Sequence, residues 1–312
     1  MDAESEANAP APPLGVALDW AARAVGPGAR VVRARPRRGG WHSNHLLELE
    51  LPAGLRLRLV LRRWARPGWD VDDPDMTPAR EASILQRLER AGLSTPRLVA
   101  MDATGSEAGA PALLETVVPG IPLRRPRDSI AFARALAEPL IAIHAVPVDP
   151  AIDAVAIPYR RYYDPATLVA PAWAADRHTW ERAIEVGLTP APDSPKVFIH
   201  RDYHPGNVLW SRGQGAPTRQ VSGIVDWTSA SFGPLAIDVG HMRWNLAAAH
   251  GRPVADAFLD ACRELGIAPG YSPEWDIRTT LDVLPELRPG HDPMAELRRI
   301  EDHVAQALAE LG

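Results

Sequence analysis

Eight consecutive residues, His200-Arg201-Asp202-Tyr203-His204-Pro205-Gly206-Asn207, stand between two short apolar runs, Val197 to Ile199 and Val208 to Trp210. Short apolar runs bounded by turn residues read as strands, so the octapeptide is a loop held at both ends by sheet. A third run, Val221 to Val225, delivers Asp226 at its own end. Polar side chains tethered this closely to strands need a well-packed scaffold, and 312 residues suffice for two lobes, each with its own core.

The residue types suit one chemistry. Phosphoryl transfer calls for a carboxylate that orients or accepts the acceptor hydroxyl proton, and for oxygen ligands to magnesium close by. Asp202 fits the first role; Asn207 and Asp226 fit the second. His200 and His204 are four apart, the spacing of a helical metal pair, but Pro205-Gly206 rules out that helix, and His204 reads as a loop residue near the acceptor. Trp227 and Asp238 are weaker acceptor candidates. An acid at the start of a helix, as Asp238 is here, more often caps or supports than binds.

The pattern alternates along the front of the chain. Residues 1–13 are Pro- and Ala-rich and read as a disordered tail. Val31 to Trp64 reads as antiparallel strands, broken by turns at Arg38-Gly39-Gly40 and Pro52-Ala53-Gly54. Thr77 followed by Pro78 starts a helix, with Ala82, Leu85, Leu88 and Ala91 at helical spacing until Gly92. Ala110 to Val118 returns to strand, and Pro119-Gly120 breaks it. Beyond lies helix-rich sequence. Asp128 caps a helix running through Phe132, Leu136, Leu140 and Ile143 that Pro139 should kink. Further helices are expected near 171–187, 235–250, 253–266, 273–284 and 292–311.

With these residues in view, the chain resembles the aminoglycoside phosphotransferase and choline kinase-like family, whose lobes are related to those of protein kinases. The resemblance runs from about Val31 to Ala249. It implies an α+β, two-lobed protein-kinase-like fold: an antiparallel sheet lobe with one main helix at 14–118, and a mostly helical catalytic and acceptor-binding lobe at 119–312. It makes Asp202 the catalytic aspartate, Asn207 and Asp226 the magnesium ligands and His200 a loop support. Gly39, Gly40 and Ser43 fall in the phosphate-covering turn, Glu81 is the helix glutamate, and Glu115 to Val118, with Thr116 and Val118 as contacts, lie beside the base. Where the family pattern holds a phosphate-binding Lys, this chain has Val60-Leu61-Arg62. Lys196 is its only Lys, so Arg62 reads as a substitution within the role.

The cofactors implied are Mg2+ and ATP, with GTP as the alternative. The partner implied is a small-molecule hydroxyl acceptor: an aminoglycoside or related antibiotic first, with resistance as the consequence, or a metabolic amino alcohol, homoserine or sugar. A catalytically silent nucleotide-binding module is the rival from another class. A serine hydrolase is excluded by the absence of any GxSxG elbow. A net charge of −5 argues against nucleic acid as partner. No apolar run has membrane-spanning length and the start does not read as a secretory signal, so the expected compartment is the cytoplasm. From Asp238 onward thirteen Asp or Glu face seven Arg, a surplus that would draw a cationic acceptor. The lone Cys262 excludes internal disulfides and reads as a buried helix thiol.

Overall fold

The computed structural model describes residues 14–37, 42–72, 75–149, 157–212 and 219–312. They group into two units, 1–119 with 223–228, and 120–222 with 229–312.

The first unit is built on an antiparallel sheet, ordered β1-β2-β3-β5-β4. Its strands are β1 (Arg30–Arg37), β2 (Ser43–Glu50), β3 (Arg56–Arg63), β4 (Leu98–Asp102) and β5 (Ala112–Thr116). Side chains alternate faces along a strand. In β3 that sends Leu59 and Leu61 into a core with Leu47, Leu49 and Leu114, covered by Ala17, Trp20 and Ala21 of helix α1 (Leu14–Val25). Arg62 turns to the other face, where helix α2 (Pro78–Arg90) supplies Glu81, Ala82 and Leu85 as buried groups. Thr77 caps α2, its hydroxyl accepting the Arg80 amide at 3.2 Å. Helix α1 and strand β4 are additions to the sequence reading. In α1 the buried positions fall three and four apart among small residues, and β4 is five residues long.

The second unit opens with β6 (Ile121–Pro122), which pairs with β8 (Val208–Arg212); β9 (Arg219–Ile224) completes that small sheet. Asp128 does cap a helix, accepting the amides of Ile130 and Ala131. The single kinked helix expected there is instead two, α3 (Ser129–Ala135) and α4 (Glu138–His144). Pro139 lacks an amide hydrogen and stands in the first turn of α4, where none is needed, so the chain breaks rather than bends. Likewise α5 (Arg177–Leu188) begins later than 171, because Asp176 supplies the cap. Strand β7 (Lys196–Ile199) pairs with β10 (Ser231–Pro234), a strand the sequence reading did not mark. Helices α6 (Ala236–His250), α7 (Arg252–Glu264), α8 (Glu274–Leu281) and α9 (Met294–Leu311) complete the unit. One of its core clusters joins Trp180, Ile277, Leu281, Leu297, Ile300 and Val304. No helix among the described residues is long and apolar enough to cross a membrane.

Candidate active site

Two clusters of charged side chains, one in each unit, gather most of the residues expected to act. In the first unit Arg62 is buried at the end of β3. Its Nη2 donates to Asp226 Oδ1 at 2.9 Å and to Thr228 Oγ1 at 2.8 Å, and it lies 3.4 Å from Glu81 Oε2. The Thr228 hydroxyl in turn donates to Glu81 Oε2 at 2.7 Å, which ties the helix glutamate to the segment after β9. Asp226 holds φ = 68°, a left-handed backbone that a residue with a Cβ adopts only where its surroundings fix it. Gly223 makes the approach possible, since a Cβ there would meet the Ser94 carbonyl at 2.5 Å.

Arg62 therefore faces three carboxylates, and Arg80, which donates to the Thr228 carbonyl at 2.8 Å, adds positive charge on the Glu81 side. Burial works against the charge of Arg62, but Glu81, Asp226 and Glu115 outweigh it and hold the guanidinium pKa above its ordinary value. The acids carry the consequence. Burial pushes Glu115 up to about 8 and raises Glu81, in both cases against the pull of Arg62. Glu115 Oε1 lies 3.8 Å from Arg62 Nε, and both atoms are buried without a hydrogen-bond partner. His42 completes the surroundings. Its ring packs on Trp64 at 4.3 Å between centroids, and burial together with the Arg62 charge depresses its pKa to about 3, so the imidazole is neutral.

Of the other residues expected here, Ser43 opens β2 opposite Arg63, and half-buried Val118 stands close to Gly223. Thr116 is occupied at the end of β5, where its hydroxyl accepts the Arg97 amide at 2.9 Å. Gly39 and Gly40 lie outside the described residues. Trp227, a candidate acceptor contact, requires correction: its side chain is fully buried, and its indole N–H donates to the Ile224 carbonyl, so it is a core residue.

In the second unit the octapeptide loop follows β7. Asp202 keeps 35% of its side chain exposed and is surrounded by nitrogen. Asn207 Nδ2 donates to its Oδ2 at 3.0 Å and also to its carbonyl. His241 Nε2 reaches Oδ1 at 3.1 Å, and His204 Nε2 is 3.7 Å from Oδ2. The His204 Nδ1 accepts the Gly206 amide at 3.1 Å, and a nitrogen that accepts cannot carry a proton, so the ring proton of His204 is on Nε2, facing the carboxylate. Burial alone would raise the Asp202 pKa. The electrostatic pull of His204, the hydrogen bond and charge of His241, and His200 overcome it and hold the carboxyl well below its usual range.

The loop itself is anchored from α6. Asp238 is fully buried, and its carboxylate accepts the amides of His200 at 3.0 Å and Arg201 at 2.7 Å. His144 Nε2 approaches the same carboxylate at 3.1 Å. These bonds fix Arg201 at φ = 69°. Asp238 was a weak acceptor candidate; with both oxygens engaged it supports the loop, the structural role its position near the start of α6 suggested. On another side of α6, Gly240 lets the helix pack closely on α8, because a Cβ there would meet Thr279 Oγ1 at 2.8 Å and the Trp275 carbonyl at 2.9 Å. The sequence reading missed His241. The signal was present, three residues after Asp238 and hence on the same helix face.

Arranged in this way, the loop and the Arg62 cluster stand on the fold of the protein-kinase-like phosphotransferases. The structure is similar to the GDP complex of aminoglycoside 2'-phosphotransferase-IIIa, with a TM-score of 0.60 at 17% identity over 88% of this chain and 93% of that one. It is equally similar to a thermostable mutant of aminoglycoside phosphotransferase APH(4)-Ia bound to ADP and hygromycin B, with a TM-score of 0.60 at 15% identity over 89% and 95%. Residues 33–272 match the Phosphotransferase enzyme family, APH, and the chain belongs to that family. Among characterised relatives, N-acetylmuramate/N-acetylglucosamine kinase of Pseudomonas aeruginosa is 29% identical over 173 residues. That stretch is 49% of this chain and 45% of the relative, so the match spans less than half of the relative's length.

Proposed function

We propose that this protein is a magnesium- and nucleoside triphosphate-dependent kinase that phosphorylates a hydroxyl group of a small sugar. The observation that carries the reading is the Asp202 carboxylate, held ionised by nitrogen donors at the tip of an anchored loop and still open to a ligand. A carboxylate with so low a pKa is a weak base toward an alcohol. It serves by orienting the acceptor hydroxyl, and takes its proton late, when the new O–P bond has made that proton acidic. As that bond forms, the bond between the terminal phosphorus and its bridging oxygen breaks, and the nucleoside diphosphate leaves with the electron pair. Arg62 offers charge to the phosphates, held in place by Glu81.

Asn207 and Asp226, the two magnesium candidates, each offer a side-chain oxygen, the donor type magnesium prefers. Among the described residues no group of three His, Cys, Asp or Glu is arranged to hold an ion, which suits a cation that keeps water and phosphate among its ligands. The residues fit the ion: three carboxylates surround the Arg62 guanidinium, and Asp226 keeps 33% of its side chain exposed. When bound, the ion neutralises charge on the transferring phosphate.

The acidic surplus after Asp238 does not favour a polycationic acceptor. Asp238 is spent on the loop, Asp276 on Arg243, Glu274 on Arg278 and Glu301 on the amides of Ala175 and Asp176. Around Asp202 stand imidazoles, with Arg201 stacked 3.8 Å over the Tyr162 ring. Neutral or acidic sugars suit these surroundings better than an aminoglycoside, and the N-acetylmuramate/N-acetylglucosamine kinase relative agrees with that choice. A coupled turnover assay with ATP and GTP tests the reading, using N-acetylmuramate, N-acetylglucosamine, simple sugars, aminoglycosides, choline and homoserine. Sugar-dependent turnover abolished in Asp202→Ala supports it. Turnover with aminoglycosides alone, or equal turnover in Asp202→Ala, contradicts it.

A further inference from the structure

Asp202 is a short side chain on a surface loop, with one-third of its area exposed, yet it must present a lone pair in one direction for the acceptor hydroxyl to be aligned. A carboxylate offers about four lone-pair sites, and its plane can rotate unless both oxygens are held. Asn207, five residues along the same loop, holds Oδ2. What holds Oδ1 comes from elsewhere: His241 Nε2 at 3.1 Å, on a ring that is itself buried. The imidazole is braced in turn, with the Trp244 ring edge-on to it at 5.2 Å.

We propose that His241 is the positioning residue of the catalytic aspartate. Asp238 and His241 lie three apart on α6 and so share one face of the helix, where Asp238 takes the loop by its backbone amides and His241 takes it by the Asp202 side chain. One rigid helix thus sets both the path of the loop and the plane of its carboxylate. Oδ1 is thereby held by His241 and Oδ2 by Asn207, with His204 3.7 Å from Oδ2, and the third of the side chain that stays exposed is where a hydroxyl can reach it. This role rests on the kinase reading above.

The experiment compares His241→Leu, which removes the donor, with His241→Gln, whose amide can reach the same oxygen, each also in the Asp202→Ala background, and thermal unfolding confirms that every variant folds. The expected result is a fall in kcat of about 10- to 100-fold for His241→Leu, with KM for nucleotide and acceptor within about threefold, and recovery of most of the loss in His241→Gln. In the Asp202→Ala background the Leu substitution should cost less than about twofold more, because its target is gone. In 15N-labelled protein, an Nε2–H signal of His241 should shift or vanish on Asp202→Ala. Unchanged kcat in His241→Leu, a change confined to KM, equal losses in the Leu and Gln variants, or the same loss with and without Asp202 would each overturn the role while leaving the kinase reading standing. A wild-type protein that transfers phosphate to no acceptor in the panel would sink the kinase reading and the positioning role together.

Discussion

The two charged clusters are inverse arrangements of the same parts. In the first unit a single buried guanidinium is outnumbered by carboxylates, so Glu81 and Glu115 are raised and one acid oxygen has no hydrogen-bond partner. In the second a single carboxylate is outnumbered by nitrogen donors, so Asp202 is lowered. The first arrangement is electrostatically incomplete and suits further positive charge; the second is complete and suits a neutral group that only needs to be pointed. An ion pair counted by itself would not separate them. The ratio of acids to bases within each cluster does, and it supports the proposal that phosphate and the Asp226 side of the metal go with the first and the acceptor hydroxyl with the second.

The sharpest way to break the comparison is to delete each central acid. Asp202→Ala and Asp226→Ala should both lower kcat by about a thousandfold, since positioning and electrostatics supply nearly all the catalysis in phosphoryl transfer. Steady-state kinetics will show whether they differ. Near-normal turnover in Asp226→Ala would mean that the first cluster is structural only. Next in size is Arg62→Met, which removes from Glu81, Glu115 and Asp226 the buried cation they share. Breaking a buried pair from one side costs about 3–5 kcal/mol, so the urea midpoint should fall sharply, with Arg62→Lys in between because ammonium restores charge without the fork. Added magnesium should recover part of the loss in Arg62→Met if the acids take up cations.

A smaller effect is expected at the loop anchor. In Asp238→Asn one acceptor becomes a donor facing backbone N–H groups, which should cost about 1–3 kcal/mol of stability and lower kcat through the displaced loop, with nucleotide KM little changed. Denaturation and kinetics on the same preparation separate the two. Loss of stability without loss of kcat would show that the loop path does not control Asp202.

Much of this was legible in the sequence wherever the signal is contiguous. The loop from His200 to Asn207, the acid after β9 and the Thr77-Pro78 start of α2 all lie within a few residues, and local physics suffices to read them. Arg62, read there as standing in for the family's Lys, is the residue that pairs with Glu81. What was not legible depends on residues far apart in the chain. Asp238 grips amides 37 and 38 residues away, and Glu115 meets Arg62 through the register of β3 with β5. The acidic surplus after Asp238 looked like a field for cations because a sequence cannot show which carboxylates are consumed by buried arginines and amides. Trp227 looked like a pocket wall for a similar reason, since adjacency to Asp226 says nothing about which way an indole turns.

The last expected effect is the most specific to the imbalance in the first cluster. Glu115 has its folded pKa raised to about 8 from an ordinary value near 4.5, and nothing else needs to change for this to be visible in stability. Between those two values the unfolded chain has lost the proton that the folded protein keeps, so folding becomes less favourable as pH rises through that window, and the penalty is complete above about 8. Glu115→Gln removes the titration while leaving a group of the same shape, and Arg62 keeps Glu81 and Asp226 as partners. Urea unfolding at pH 5, 6, 7 and 8 should therefore show wild-type stability declining more steeply than that of Glu115→Gln, with the two closest at pH 5. Saturating magnesium and nucleotide should reduce the difference if positive charge bound at this cluster lets Glu115 ionise. Parallel curves would mean that Arg62 already satisfies all three acids, and the contrast between an incomplete cluster and a complete one would then have to be given up.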